Sequence, residues 1–161
     1  PSSPFYKFKH LSVMERIQSL HSIFSFHTFV EKKNYVALDF YDGSILYNFH
    51  TNETKICDID LYSKKPYVNK MGRLWGSSRF MSPEEFELHA MIDARTNVFN
   101  MGAMAFALLG GGKDRSFTKW EASRDLYEIA HRAVNESRAK RYESVKVFYE
   151  EWINVANAEK M

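Results

Sequence analysis

The sequence predicts a mainly helical α+β domain, and three stretches carry that prediction. Ser12 with Glu15 three residues on is a capping-box pattern, and Val13, Ile17, Leu20 and Phe24 follow at helical spacing. V-F-N-M-G-A-M-A-F-A-L-L, Val98 to Leu109, is apolar nearly all round, the pattern of a helix buried on almost every side. It is short of the roughly 20 residues that a membrane span needs. Between them, Tyr35 to Phe49 holds an Asp42-Gly43 turn followed by Ile45, Tyr47 and Phe49 on one side of a short strand. With 161 residues, 45% of them hydrophobic and 16% aromatic, the chain fills one domain with a sizeable core and is short for two. Residues 1–161 are therefore read as a single unit.

Taken in order, the first helix runs from about Val13 to about Phe29, with Ile23, Phe26 and Val30 widening its apolar face. The polar His50 to Thr54 turns the chain into K-I-C-D-I-D-L-Y, Lys55 to Tyr62, a second short strand antiparallel to the first. If that stretch is extended throughout, Asp58 and Asp60 share one face about 7 Å apart and call for a cation. Tyr62 to Phe80 lacks periodicity and is read as a long loop, functional or disordered. Its Trp75 and the basic Lys64, Lys65, Lys70 and Arg73 suit substrate or partner contact and equally a solvated loop. Ser82-Pro83-Glu84-Glu85 opens a short helix. After the buried helix stops at Gly110-Gly111-Gly112, Thr118 with Glu121 is expected to cap the next, which carries Leu126, Ile129, Ala130 and Ala133. A last helix carries Val145, Phe148, Tyr149, Trp152 and Ile153.

A net charge of +2 from 22 basic and 20 acidic side chains makes no strong field, so neither nucleic acid nor an anionic membrane is expected as a partner. The lone Cys57 has no internal disulfide partner and reads as a small core residue. No signal-peptide pattern stands near the start, and a reducing cytoplasm is the expected compartment. The six histidines lack the spacings of a zinc site and are assigned no chemistry.

Chemistry concentrates between Asp39 and Asp58. An aspartate at the mouth of a turn, a polar side chain five residues on, and a second aspartate ending a paired strand suit phosphoryl transfer. The first handles the nucleophile's proton and the other two hold magnesium. Asp39, Ser44 and Asp58 fit that order, although Asp58 alone would read as a turn cap.

Four motifs add a resemblance. K-I-C-D-I-D looks like the strand entering the magnesium-binding D-F-G motif of protein kinases, and G-S-S-R-F-M-S-P-E-E, Gly76 to Glu85, like the end of their activation segment. I-D-A-R-T-N-V-F-N-M-G, Ile92 to Gly102, resembles the start of the buried central helix of the kinase C-lobe. A-K-R-Y-E-S-V, Ala139 to Val145, resembles the segment whose arginine pairs with the glutamate of A-P-E. The motifs occur in the family's order, so the chain resembles a C-lobe of the protein-kinase-like fold, of the bacterial serine/threonine kinase-like type. The resemblance implies a catalytic loop at about 36–47, a metal-binding strand end at 55–60, an activation-segment-like loop at 61–84 and a helical subdomain at 85–161. It also implies ATP and magnesium as cofactors and a protein substrate. Asp39 then matches the aspartate that orients the substrate hydroxyl, Asp58 and Ser44 the metal ligands, Gly76 and Ser77 the activation segment, and Glu84 with Arg141 a buried structural ion pair.

The departures are as specific. Ala37-Leu38 stands before Asp39 in place of His-Arg, so the arginine that reads activation-loop phosphorylation is missing. Tyr41 replaces the catalytic-loop lysine, Ser44 the asparagine, Asp60 the glycine of D-F-G, and Asn97 the aspartate opening the central helix. No glycine-rich loop and no phosphate-binding strand lysine occurs in the 161 residues, so the kinase N-lobe is absent from the chain. The expectation is a phosphotransferase C-lobe that is inactive alone, with self-association through the face an N-lobe would cover. Two further readings share the residues: a pseudokinase serving as a binding module, and a small-molecule kinase, which leaves Gly76 and S-P-E-E unexplained.

Overall fold

In the computed structural model, which describes residues 3–160, four helices accompany one buried central helix, together with three two-stranded antiparallel sheets. The mixed helix and small-sheet class is the α+β class read from the sequence. Helix α1 (Pro4–Lys9) precedes α2 (Val13–Lys32). Ser12 starts α2 as expected: its amide donates to Glu15 Oε2 at 2.9 Å, and the Glu15 amide donates to Ser12 Oγ at 3.2 Å. The short α1 was not legible, because its apolar residues span barely more than one turn and give no period.

Strands β2 (Ile45–Asn48) and β3 (Glu53–Ile56) pair antiparallel, Ile45 opposite Ile56 and Asn48 opposite Glu53. Here the reading of K-I-C-D-I-D-L-Y as one strand is corrected. β3 ends at Ile56, and Asp58 adopts a positive φ of 55°, so Asp58 and Asp60 do not share a strand face. Cys57 is half-exposed rather than core, its thiol 3.8 Å from Asp58 Oδ2. The long loop is also corrected. It contains β4 (Ser63–Lys64), paired with β1 (Tyr35–Val36), and β5 (Tyr67–Val68), paired with β6 (Met91–Ile92). Two-residue strands depend on their partners and leave no alternation to read.

Ser82-Pro83-Glu84-Glu85 opens a single 3-10 turn, Pro83–Phe86. The central helix α3 (Ala94–Leu109) is capped by Asp93 and packs against α2, α4 (Arg124–Ala133) and α5 (Val145–Ala158). Only Ser123, not Thr118, caps α4; Glu121 instead accepts from Arg16 at 2.8 Å and from Lys9 at 3.3 Å. Both cations also donate to the Leu108 carbonyl at the C-terminus of α3, where the helix dipole favours positive charge. Among the described residues no helix is long and apolar enough to cross a membrane.

Candidate active site

Asp39 follows β1 and precedes the 3-10 turn Asp42–Ser44; Asp58 follows β3. Both aspartates take left-handed backbone, φ 56° and 55°. Such conformations are uncommon outside glycine and favour aspartate among the exceptions, and their clustering marks loops held in place by their surroundings.

Those surroundings are specific. The Ala37 amide donates to Asn97 Oδ1 at 2.9 Å, and Asn97 Nδ2 donates back to the Ala37 carbonyl at 3.0 Å. One side chain from the first turn of α3 thus closes a two-bond clamp on the strand leading into Asp39. Asn100, one turn on, donates to the Phe80 carbonyl at 2.8 Å and to Glu85 Oε2 at 3.0 Å. The buried helix therefore holds the loop before Asp39 and the segment after Gly76 from a single pair of amides. The two loops also hold each other: Arg79 Nη2 lies 2.9 Å from both carboxylate oxygens of Asp42. Behind them, buried His27 of α2 donates from Nδ1 to the Ile23 carbonyl at 2.8 Å, which leaves Nε2 to accept from the Tyr62 hydroxyl at 2.8 Å. The His27 ring also packs on Phe40, centroids 4.4 Å apart.

The charges of Asp39 and Asp58 reach each other. Burial raises the Asp39 pKa, and the Asp58 charge raises it further. Burial likewise raises the Tyr62 hydroxyl, with the Asp39 charge adding to it. Gly76 completes the wall: its φ is +128°, and a Cβ there would lie 3.3 Å from Asp39 Oδ1. Ser77, half-buried, accepts the Phe80 amide on its carbonyl at 2.9 Å.

Ser44 is buried, its carbonyl accepts the Cys57 amide at 2.9 Å, and its hydroxyl has no protein partner. A buried hydroxyl left unpaired is costly unless something else satisfies it. Among the described residues no group of three or more His, Cys, Asp or Glu side chains gathers as a metal cage. Magnesium does not require one, since it is held by one or two carboxylates together with phosphate oxygens and water. Exposed Asp58 could supply such a carboxylate, and a cation between the two aspartates would relieve their repulsion; the Ser44 hydroxyl is closed off from solvent and bonds no other side chain.

Glu84 and Arg141 meet away from these groups. Arg141 Nη1 lies 2.7 Å from Glu84 Oε1 and Nη2 3.1 Å from Oε2, both side chains buried. Asp60 is exposed and in no ion pair among the described residues. Sequence reasoning missed Asn100, the Asp42–Arg79 tie and the His27–Tyr62 bridge. Asn97 and Asn100, two amides in an otherwise apolar buried run, were the available signal for the first.

A scan of protein-family models matches none to this chain, and a search of curated proteins returns no relative.

Proposed function

We propose that this chain is the C-lobe of a protein-kinase-like phosphotransferase that moves a phosphoryl group from ATP to a serine or threonine hydroxyl of a protein. The observation that supports it most is the pairing of Asp39 with Asp58, each on left-handed backbone and near enough for the Asp58 charge to raise Asp39, with Gly76 packed against the Asp39 carboxylate. Asp39 would orient the acceptor hydroxyl and take its proton, and a pKa raised by burial suits a base. Asp58 would hold magnesium, which when bound with ATP neutralises charge on the phosphates. Gly76 and Ser77 would seat the acceptor strand. Ile59, 45% exposed one residue after Asp58, is an open apolar side chain that an N-terminal lobe would cover in this reading. In this reading the chain alone, without such a lobe to hold ATP, does not turn over appreciably.

The test is magnesium-dependent transfer of labelled phosphate by the parent protein that includes an N-terminal lobe, against Asp39→Ala and Asp58→Ala. The expected loss at Asp39 is about two to four orders of magnitude. Equal trace activity in the parent and both variants would instead favour a second reading, a pseudokinase that binds without turnover. Tyr41 supports that alternative. Its ring lies over Gly43, where a Cβ would come within 2.3 Å of it, so a bulky apolar group occupies the place of the expected lysine.

A further inference from the structure

Phe5 and Phe8 lie three residues apart on α1, on one helix face, and Ile45, Tyr47 and Phe49 alternate along β2 and its last step, on one strand face. Those two faces meet without filling the space between them. A cavity of about 390 Å³ remains, bounded by these five side chains and by Leu108 from the last turn of α3. That volume lies in the range of small-molecule sites, roughly 300–1,000 Å³. Phe8 and Leu108 are buried members of the main core, so the floor is fixed by packing that exists without any occupant. Phe5 and Phe49 are exposed and stand at the mouth.

The lining indicates what the cavity takes. Phe8 meets Tyr47 edge to face, centroids 5.0 Å apart at 88°, and Tyr47 meets Phe49 at 5.0 Å and 78°. With Phe5, four of the six apolar walls are rings, a surface that receives a further ring edge-on or offset. The polar atoms around it are already engaged. Tyr47 donates its hydroxyl to Asn52 Oδ1 at 3.0 Å, the Ser3 hydroxyl oxygen accepts the Tyr6 amide at 3.2 Å, and the Leu108 carbonyl accepts from Arg16 at 2.9 Å. Asp42 is the one charged residue on the rim, and Arg79 takes both of its carboxylate oxygens at 2.9 Å. An ion entering here would lose water and find no free countercharge, whereas an uncharged ring loses nothing that the walls do not replace.

We propose that this cavity binds an uncharged aromatic small molecule, seated on Phe8 and Leu108 and gripped at the mouth by Phe5 and Phe49. The inference uses no property of Asp39 or Asp58 and stands independently of the phosphotransferase reading.

Fluorescence titration of the chain with two dyes tests it: neutral phenylnaphthylamine, and anilinonaphthalene sulfonate, which has the same rings and an added anionic group. The expected result is saturable binding of a single phenylnaphthylamine per chain, about 10-fold or more tighter than the sulfonate. Phe5→Asp and Phe49→Asp each weaken it by about 10-fold or more, and Phe29→Asp, on the exposed side of α2, leaves it unchanged. All three positions are exposed, and unchanged circular dichroism shows that each variant is folded. In the unaltered chain, nuclear Overhauser contacts from the dye to the Phe8 and Tyr47 ring protons place it in the cavity. No saturable binding, a sulfonate that binds as tightly, full affinity in either mouth variant, a loss at Phe29→Asp as large as theirs, or dye contacts only to residues outside the cavity overturns the proposal.

Discussion

His27 and Glu85 are two buried side chains whose titration contributes to how this protein responds to acid, and they pull in opposite directions. Burial lowers His27 to about 4, against an ordinary 6.5. Between those values the unfolded chain takes up a proton that the fold refuses, so the stability His27 contributes is complete above pH 6.5 and lost as pH falls toward 4. Burial pushes Glu85 up to about 7 from an ordinary 4.5, in spite of donors from Ser82 and Asn100. There the folded state holds the extra proton, so that contribution is complete below pH 4.5 and lost as pH rises through 7. Each shift corresponds to about 3 kcal/mol, and the two offset each other between pH 4.5 and 6.5. Glu85→Gln should therefore make unfolding free energy fall more steeply with acid than in the unaltered protein, and His27→Gln less steeply. Urea midpoints at several pH values in this window check both, and parallel curves for all three proteins would contradict the assignment. Neither shift was legible in the sequence. Glu85 read as a helix-start acid and His27 as unremarkable, because burial of a single polar side chain is decided by what packs over it.

At the scale of elements, the Glu84–Arg141 pair joins the 3-10 turn Pro83–Phe86 to the strand of chain leading into α5. Arg141 also donates from Nε to the Asn135 carbonyl at 2.6 Å and from Nη1 to the Arg95 carbonyl at 3.2 Å, and Thr96 donates to Glu84 Oε1 at 2.9 Å. Burial alone would raise the Glu84 carboxyl, but the Arg141 and Thr96 hydrogen bonds outweigh it and hold the pKa below its ordinary value. Arg141→Met leaves the buried Glu84 carboxylate with Arg138, 3.7 Å away, as its remaining cation and should cost about 3 kcal/mol in chemical denaturation. Glu84→Leu combined with it should recover much of that loss, since two apolar groups do not need each other's charge. A single variant within 1 kcal/mol of the unaltered protein would show that the pair is not held as described. The motifs around Glu84 and Arg141 pointed to this pairing across 57 residues of sequence. The apposition of segments 67–76 and 85–92 had no such marker, because buried Asn69 makes it with the backbone carbonyls of Gly72 and Glu87, and any residue supplies those.

For the whole molecule, the packing of α3 against α4 is set by Gly102. A Cβ there would lie 2.7 Å from Ala133 Cβ and 2.9 Å from Val134 Cγ1, so the two helices touch nearly backbone to backbone. Gly102→Val should push them apart at a cost of about 3 kcal/mol, the upper end for overpacked cores. For a chain of this size that lowers the melting temperature by about 6–12 °C. A calorimetric scan checks it, and an unchanged melting temperature would mean that the helices have slack between them.

The sequence by itself determined the helices α2, α3 and α5, the β2–β3 hairpin with its turn, and the α+β class. Each rests on a local cause: a capping box, an apolar period, or the polar His50 to Thr54 between two short alternating stretches. It also singled out Asp39, Ser44 and Asp58 as one chemical group. Only the tertiary structure decided that the K-I-C-D-I-D-L-Y strand stops at Ile56 and turns Asp58 through left-handed backbone, that Asn97 and Asn100 clamp both loops to α3, and that Ser44 is buried without a partner. Those outcomes depend on neighbours distant in sequence. Two-residue strands, side-chain clamps and desolvation exist only when another part of the chain supplies the opposing surface.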